Sequence, residues 1–146
     1  MSRTVLITGA SCALGPPLLA ELLQSDGTDR VVVVLRPGPR WDRRVEELRA
    51  SIAQVAADAD HQRPWRLDRL ACVAGDVGRC DLGLEGSERD RLVREVHVLI
   101  HAAANTRFST PAGDLHNVNV EGTRHVLAFA RGCHFLEQFL LVSTTC

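Results

Sequence analysis

At 146 residues the chain has the length of one ordinary domain, enough for a real core and too short for two large lobes. Its 45% hydrophobic and 24% charged residues are those of a globular protein, and a net charge of -1 gives no reason to expect nucleic acid or an anionic membrane as partner. No apolar run reaches the length of a bilayer span and the N-terminus carries no signal-peptide pattern, which together imply the cytoplasm.

The first element in the chain is "TVLIT" (4–8), a short buried strand running into a glycine turn. "LGPPLLAELLQ" (14–24) follows with Leu14, Leu18 and Leu22 at helical spacing. "RVVVVL" (30–35) is an unbroken β-branched run, suited to the centre of a parallel sheet that is apolar on both faces. Val45, Leu48, Ile52 and Val55 then recur every three or four residues, marking an amphipathic helix over 42–58. "RLACVAGDV" supplies a third strand ending near Ala74, and "SERDRLVREV" a short polar helix with Ser87 as its N-cap. A fourth strand spans 97–104, a long helix 112–132, and "FLEQFLLVST" gives a fifth strand.

Strand and helix alternate throughout with short links. That is the pattern of a Rossmann-like, doubly wound parallel α/β sheet of five strands, occupying 1–146 as one nucleotide-binding domain. Ligands of such sheets sit beyond the carboxyl ends of the strands.

The five cysteines are odd in number, scattered and free of any CxxC, and the six histidines form no ligand spacing. No disulfide framework or metal site is therefore expected. Two absences carry more weight. The chain has no tyrosine, and every one of its 17 basic residues is arginine.

The stretch "TGASCALG" (8–15) is the first candidate site. A strand, a glycine turn and a helix entrance aim backbone N–H groups and the positive helix end at a pyrophosphate. This places Thr8, Gly9, Ser11, Cys12, Ala13, Leu14 and Gly15 around a dinucleotide. Gly9 permits the sharp turn and Gly15 a close helix approach, while Cys12 occupies the position where a middle glycine lets phosphate come near. Pro16 and Pro17 are comfortable only in the first helical turn. The plainer reading of Cys12 is a small residue tolerated at some cost in affinity.

At the end of the second strand an acidic residue would bind the adenosine ribose hydroxyls and favour NAD. Arg36 stands there instead, with Arg40, Arg43 and Arg44 nearby. A guanidinium accepts a 2′-phosphate in bidentate fashion, so the expected cofactor is NADP(H), held by Arg36 with Arg44 in support. Solvated arginines in an arginine-rich chain are the competing explanation, strongest for Arg40, Arg43 and Arg44.

Five ordered motifs now stand together: TGxxGxxG, "GDV" (75–77), "HAAANTRF" (101–108), "NVEGTRHVL" (119–127) and "LLVST" (140–144). In this order they resemble the extended short-chain dehydrogenase/reductase family. The nearest branch is the thioester-reductase group, which includes fatty acyl-CoA reductases of the male sterility type and the reductase domains of carboxylic acid reductases and nonribosomal peptide synthetases. The long second helix, "GDVGRCDLGL" and "HAAANTRF" favour this branch over sugar-nucleotide epimerases.

The resemblance implies a role for each matched residue. Asp76 would accept a hydrogen bond from the adenine amino group, with Val77 beside it. Ala102, Ala103 and Ala104 would form the floor under ribose and nicotinamide. Asn119 would hold a kink in its helix near the active site, and His101 is read as a packed histidine and not a base. Thr144 takes the place of the catalytic hydroxyl, with Ser143 the neighbour of second choice.

In that family a YxxxK pair completes the site about one helix later; tyrosine protonates the alkoxide and lysine supports it. The chain contains neither residue type, so the expectation is the amino-terminal, NADP(H)-binding part of a reductase that is inactive alone, with the remainder on a neighbouring domain or chain. The implied substrate is an acyl thioester on a carrier protein or coenzyme A, reduced to an aldehyde or alcohol. Two alternatives stay open: a catalytically silent nucleotide-binding or interaction module, and a nucleotide-sugar epimerase or dehydratase of the same fold.

Overall fold

The computed structural model describes residues 3–58, 66–107 and 109–143. Five parallel strands form one sheet: β1 (Thr4–Thr8), β2 (Arg30–Leu35), β3 (Leu70–Ala74), β4 (Val96–His101) and β5 (Gln138–Leu141), in the order β3-β2-β1-β4-β5. Among the described residues five α-helices connect or flank them: α1 (Gly15–Gln24), α2 (Trp41–Asp58), α3 (Gly86–Glu95), α4 (Ala112–His116) and α5 (Gly122–Gly132). The order reverses at β1, where one crossover leads outward to β2 and the other to β4. Such a reversal leaves a crevice at the carboxyl ends of these strands.

The unbroken apolar strands are explained by a core on each face. Val5, Ile7, Val31, Val33 and Leu35 point to one side, against Leu19 and Leu23 of α1 and Leu48 and Ile52 of α2. Leu6, Val32 and Val34 point to the other, against Leu92 and Val93 of α3 and Val126 and Phe129 of α5. Successive strand residues alternate between these layers, so a central strand has no polar face to show. β5 lies at the sheet's margin and is different: Leu140 and Leu141 are 46% and 51% exposed. Among the described residues no helix is long and apolar enough to cross a membrane.

Several boundaries differ from those read in the sequence. Leu14 is the cap of α1, and the two prolines fall in its first turn, where a missing N–H leaves no helical bond unmade. The first bond of that turn, Leu18 N–H to Leu14 O at 3.2 Å, is intact, so the entrance is regular. Ser87 does not cap α3; the helix begins one residue before it, with Glu85 at the cap and no side chain bonded there. β4 stops at His101, leaving Ala102–Ala104 beyond the strand. The expected helix 112–132 is divided by a wide π-turn at Asn117–Glu121.

Candidate functional site

A cleft of about 830 Å3 opens at the carboxyl end of the sheet. That volume lies within the roughly 300–1,000 Å3 usual for cofactor sites. One end is walled by Leu35, Arg36 and Arg44 after β2 and by Gly75, Asp76 and Val77 after β3. Gly9, Ser11 and Cys12 form its middle, and Ala102, Ala103 and Ala104 its floor beyond β4. The far wall is Asn105, Thr106, Arg107 and Thr110 with Asp114, Asn117 and Val118.

The glycine turn is built from two successive tight turns. Cys12 N–H donates to Gly9 O at 3.2 Å, and Gly15 N–H to Cys12 O at 3.0 Å. Gly9 has φ +81°, and a Cβ on it would lie 2.3 Å from Ala102 C and Ala103 N. Glycine is therefore required twice over, by the left-handed backbone and by the approach of the chain leaving β4. A Cβ on Gly15 would sit 1.7 Å from Ala10 O, so this glycine lets α1 close onto the turn itself.

Cys12 is exposed and faces the cleft. Among the described residues Asp81 and Leu82 are the non-glycine residues with positive φ, so the backbone at Cys12 imposes no need for glycine. What cysteine costs here is space alone. Cys12→Gly is expected to tighten dinucleotide binding severalfold, with up to about 1 kcal/mol of stability lost to backbone freedom. Cys12→Ser should bind like the wild type. Calorimetry on the three proteins measures it, and a glycine variant that binds no tighter would show that the turn already accommodates the thiol. A thiol-blocking reagent should weaken binding through Cys12; Cys80 is also exposed, whereas burial pushes the thiols of Cys72 and Cys133 up, the latter to about 11.

Thr8, Ala13, Leu14 and Gly15 do not line the cleft. Thr8 is fully buried, its hydroxyl 2.7 Å from His101 Nδ1, and Gly15 is buried beneath the turn. Thr8 and Gly15 shape the loop from behind, whereas Ala13 and Leu14 are exposed.

At the β2–β3 end, Arg36 Nε lies 3.7 Å from Asp76 Oδ2. Asp76 Oδ1 also accepts the Gly78 N–H at 2.9 Å, which closes a small turn. Arg44 sends its guanidinium to the Arg36 carbonyl at 2.5 Å and so props the end of β2. Behind Asp76 the chain does something costly. Asp81, Leu82 and Gly83 are successively left-handed, at φ 51°, 57° and 58°. A leucine in that region costs about 1–2 kcal/mol. It is offset by complete burial of the Leu82 side chain, and the Leu82 carbonyl receives the Asp76 N–H at 2.6 Å. The strained turn fixes the backbone of "GDV" from below.

At the other end Asn119 lies in the π-turn and is not on the cleft wall. Its amide clamps the loop opposite: Asn105 N–H donates to Asn119 Oδ1 at 2.7 Å, and Asn119 Nδ2 donates to Asn105 O at 2.9 Å. Asn105 Oδ1 in turn accepts the Arg107 N–H at 3.1 Å and the Thr110 hydroxyl at 3.3 Å. Ser143, two residues beyond β5, is exposed and off the cleft wall, and Thr144 lies outside the described residues. Sequence reasoning missed Arg107, Thr110 and Asn117. Arg107 was visible within "HAAANTRF", but nothing in a loop residue's identity tells which way it faces.

His101 is 1% exposed, and burial pushes its pKa down from 6.5. The unfolded chain therefore binds this proton more readily than the folded one. The resulting stability is full above about pH 6.5 and is lost as pH falls toward the lowered value. Urea unfolding of wild type and His101→Phe between pH 7.5 and 5.5 should show a steeper acid loss in the wild type.

The residues present fit a dinucleotide: two guanidinium groups at one end, an open glycine turn, and a small-residue floor. Comparison with known proteins agrees. Residues 7–146 match the NAD-binding family described as "Male sterility protein". The chain belongs to this family. Fatty acyl-CoA reductase 1 of Gallus gallus is 28% identical over 145 residues, covering 97% of this chain and 28% of that protein. The terminal R domain of the myxalamid PKS-NRPS pathway superposes with a TM-score of 0.76 at 30% identity, over 98% of this chain and 35% of that one. The reductase domain of a nonribosomal peptide synthetase from Mycobacterium tuberculosis gives 0.72 at 32%, over 99% and 34%. The chain thus spans about a third or less of the length of these relatives.

Proposed function

We propose that this domain binds NADP(H) across the cleft and serves a reductase of acyl thioesters carried on coenzyme A or a carrier protein. The observation that carries the reading is the course of the cleft, from Arg36 and Arg44 past the Gly9 turn to Ala102–Ala104. It fits an adenosine phosphate at one end and a flat nicotinamide ring at the other. Asp76 and Val77 would meet the adenine, Arg36 the 2′-phosphate, and the turn N–H groups with the entrance of α1 the pyrophosphate. The bound cofactor supplies hydride, and the protein's part is to hold the ring and the carbonyl in register. Ala102–Ala104 leave room for the ring, and Asn105, Thr106, Arg107 and Thr110 wall the side from which a substrate would enter. The relatives named as fatty acyl-CoA reductase, together with the peptide synthetase reductase domains, support the thioester class. Thr144, with Ser143 beside it, is carried as the hydroxyl that bonds the carbonyl oxygen on the strength of its motif alone.

Titration with NADPH tests this reading, and no binding at millimolar cofactor would overturn it. The 146-residue chain, having no tyrosine or lysine, is expected to bind NADPH yet to oxidise none of it with acyl-coenzyme A. Turnover that is lost in Thr144→Ala would refute the second half. Binding without turnover is also what a silent nucleotide-binding module would show, and activity regained on adding the remaining reductase segment in trans separates the two.

A further inference from the structure

Four polar residues behind the cleft form one directed chain: Thr8 and His101 are buried, Thr123 is half-buried and Asn119 is exposed. Thr123 Oγ1 donates to the Asn119 carbonyl at 2.7 Å, because a carbonyl can only accept. That spends the Thr123 proton. The contact of His101 Nε2 with Thr123 Oγ1 at 3.1 Å is then a bond donated by the ring. With Nε2 protonated in a neutral ring, Nδ1 must be the acceptor, and the Thr8 hydroxyl at 2.7 Å is its donor. The Thr123 hydroxyl donates to one partner and accepts from another, each ring nitrogen has one role, and the direction of the whole chain follows from a single carbonyl.

The path joins separate elements. Thr8 ends β1 immediately before the glycine turn, His101 ends β4 immediately before the alanine floor, and Thr123 lies in the first turn of α5. Asn119 carries it into the π-turn, where its side chain holds both backbone polar groups of Asn105. A π-turn shifts the carbonyls out of their usual pairing, and such bulges recur at functional sites. Here the Asn119 carbonyl is tied to Thr123 while the Asn119 amide faces the loop.

We propose that His101 is a positioning residue for the cleft: as its neutral Nε2–H tautomer it locks the π-turn to the end of β1, and through Asn119 fixes the wall of Asn105, Thr106, Arg107 and Thr110 where the nicotinamide and substrate meet. The assignment of that wall to nicotinamide and substrate rests on the function proposed above, whereas the coupling itself does not. The ring acts through other residues and touches no reacting atom. The elements around it bring little competing charge: β1 and β5 carry no titratable residue, and on α5 Arg131 is exposed near the C-terminal end of the helix. Glu121 pairs with Arg124 and His116, and His125 bonds the Val77 carbonyl.

The test uses the full chain and two substitutions at the accessible link, Thr123→Val and Thr123→Ser. Valine keeps the shape and removes the hydroxyl; serine restores it. Amide hydrogen exchange should be about tenfold faster at Asn105 in Thr123→Val and unchanged in Thr123→Ser, with Leu6 and Leu99 in the sheet protected alike in both. Ring 15N shifts at neutral pH should show His101 protonated on Nε2 and bare on Nδ1. NADPH affinity should fall about five- to tenfold in the valine variant and recover in the serine one. Equal exchange at Asn105 in the two variants, or an Nδ1–H ring, would overturn the coupling. A wild type that binds no NADPH but shows the predicted exchange would overturn the cofactor assignment and leave the coupling standing.

Discussion

Gly9→Ala is expected to lower stability by about 2–5 kcal/mol. The two contributions are separable. An L-residue forced toward the left-handed region costs about 1–2 kcal/mol, and pressing a methyl group into packed surroundings costs about 1–3 more. At Gly9 the methyl would meet backbone atoms of Ala102 and Ala103 at 2.3 Å, and backbone cannot rotate aside as a side chain can. Ala102 N–H already bonds the Thr8 carbonyl at 3.0 Å, so relief would require parting β1 from β4 at the point where the cleft begins. Gly15→Ala isolates the steric part: its φ is ordinary, yet its Cβ would lie 1.7 Å from Ala10 O. Gly113→Ala in α4 is the control, with nothing within 4 Å of the new methyl. There the helix should gain up to about 1 kcal/mol. Urea unfolding of the three variants decides it. A Gly9→Ala protein within about 1 kcal/mol of the wild type would mean that β1 and β4 do not approach as described. The loss is also large beside the roughly 5–15 kcal/mol that holds a domain together, so cofactor binding must be measured where each variant is still folded.

That contrast among glycines shows what a sequence makes legible. Gly9 and Gly15 announced themselves because both sit in a recognisable strand-turn-helix setting, although the approach of Ala102 and Ala103 to Gly9 was not legible there. The strands were equally plain: a run such as "RVVVVL" has no polar face, and only a sheet covered on both sides can use it. Residues 112–132 read as one helix from pattern alone, so the π-turn was hidden there and only the resemblance implied a kink at Asn119. Within it the Asn119 amide reaches Asn105, a partner fourteen positions away in another element. The left-handed turn at Asp81 and Leu82 was hidden for a similar reason. Leucine has no preference for that conformation, and what holds it there is burial of its own side chain and the Asp76 N–H. Ser87 misled because a good capping residue at a helix start need not be the cap. Arg36 and Asp76 were each singled out, forty residues apart, but that they touch is a consequence of β2 and β3 pairing side by side.

Their contact sharpens the second large effect, on cofactor choice. If Arg36 receives the 2′-phosphate, the wild type should prefer NADPH to NADH, and Arg36→Ala should lose that preference. A charge-assisted bond to phosphate is worth about 1.5–3 kcal/mol, which is roughly ten- to a hundredfold in affinity. The existing pair does not stand in the way. At 3.7 Å, with the Arg36 side chain 62% exposed, it is a solvent-screened contact worth about 0–1 kcal/mol. A phosphate dianion can therefore draw the guanidinium away while Asp76 keeps its bond from the Gly78 N–H. Two further substitutions separate this account from a general attraction of arginines for anions. Asp76→Asn removes the competing carboxylate while keeping an acceptor oxygen for the adenine amino group, so NADPH should keep its advantage over NADH. Arg44→Ala should have a smaller effect, since that guanidinium is engaged with the Arg36 carbonyl. Titrations at one fixed ionic strength keep screening constant across the series. Equal binding of NADH and NADPH by the wild type would remove Arg36 from the phosphate site, and equal losses in Arg36→Ala and Arg44→Ala would reduce the effect to net charge.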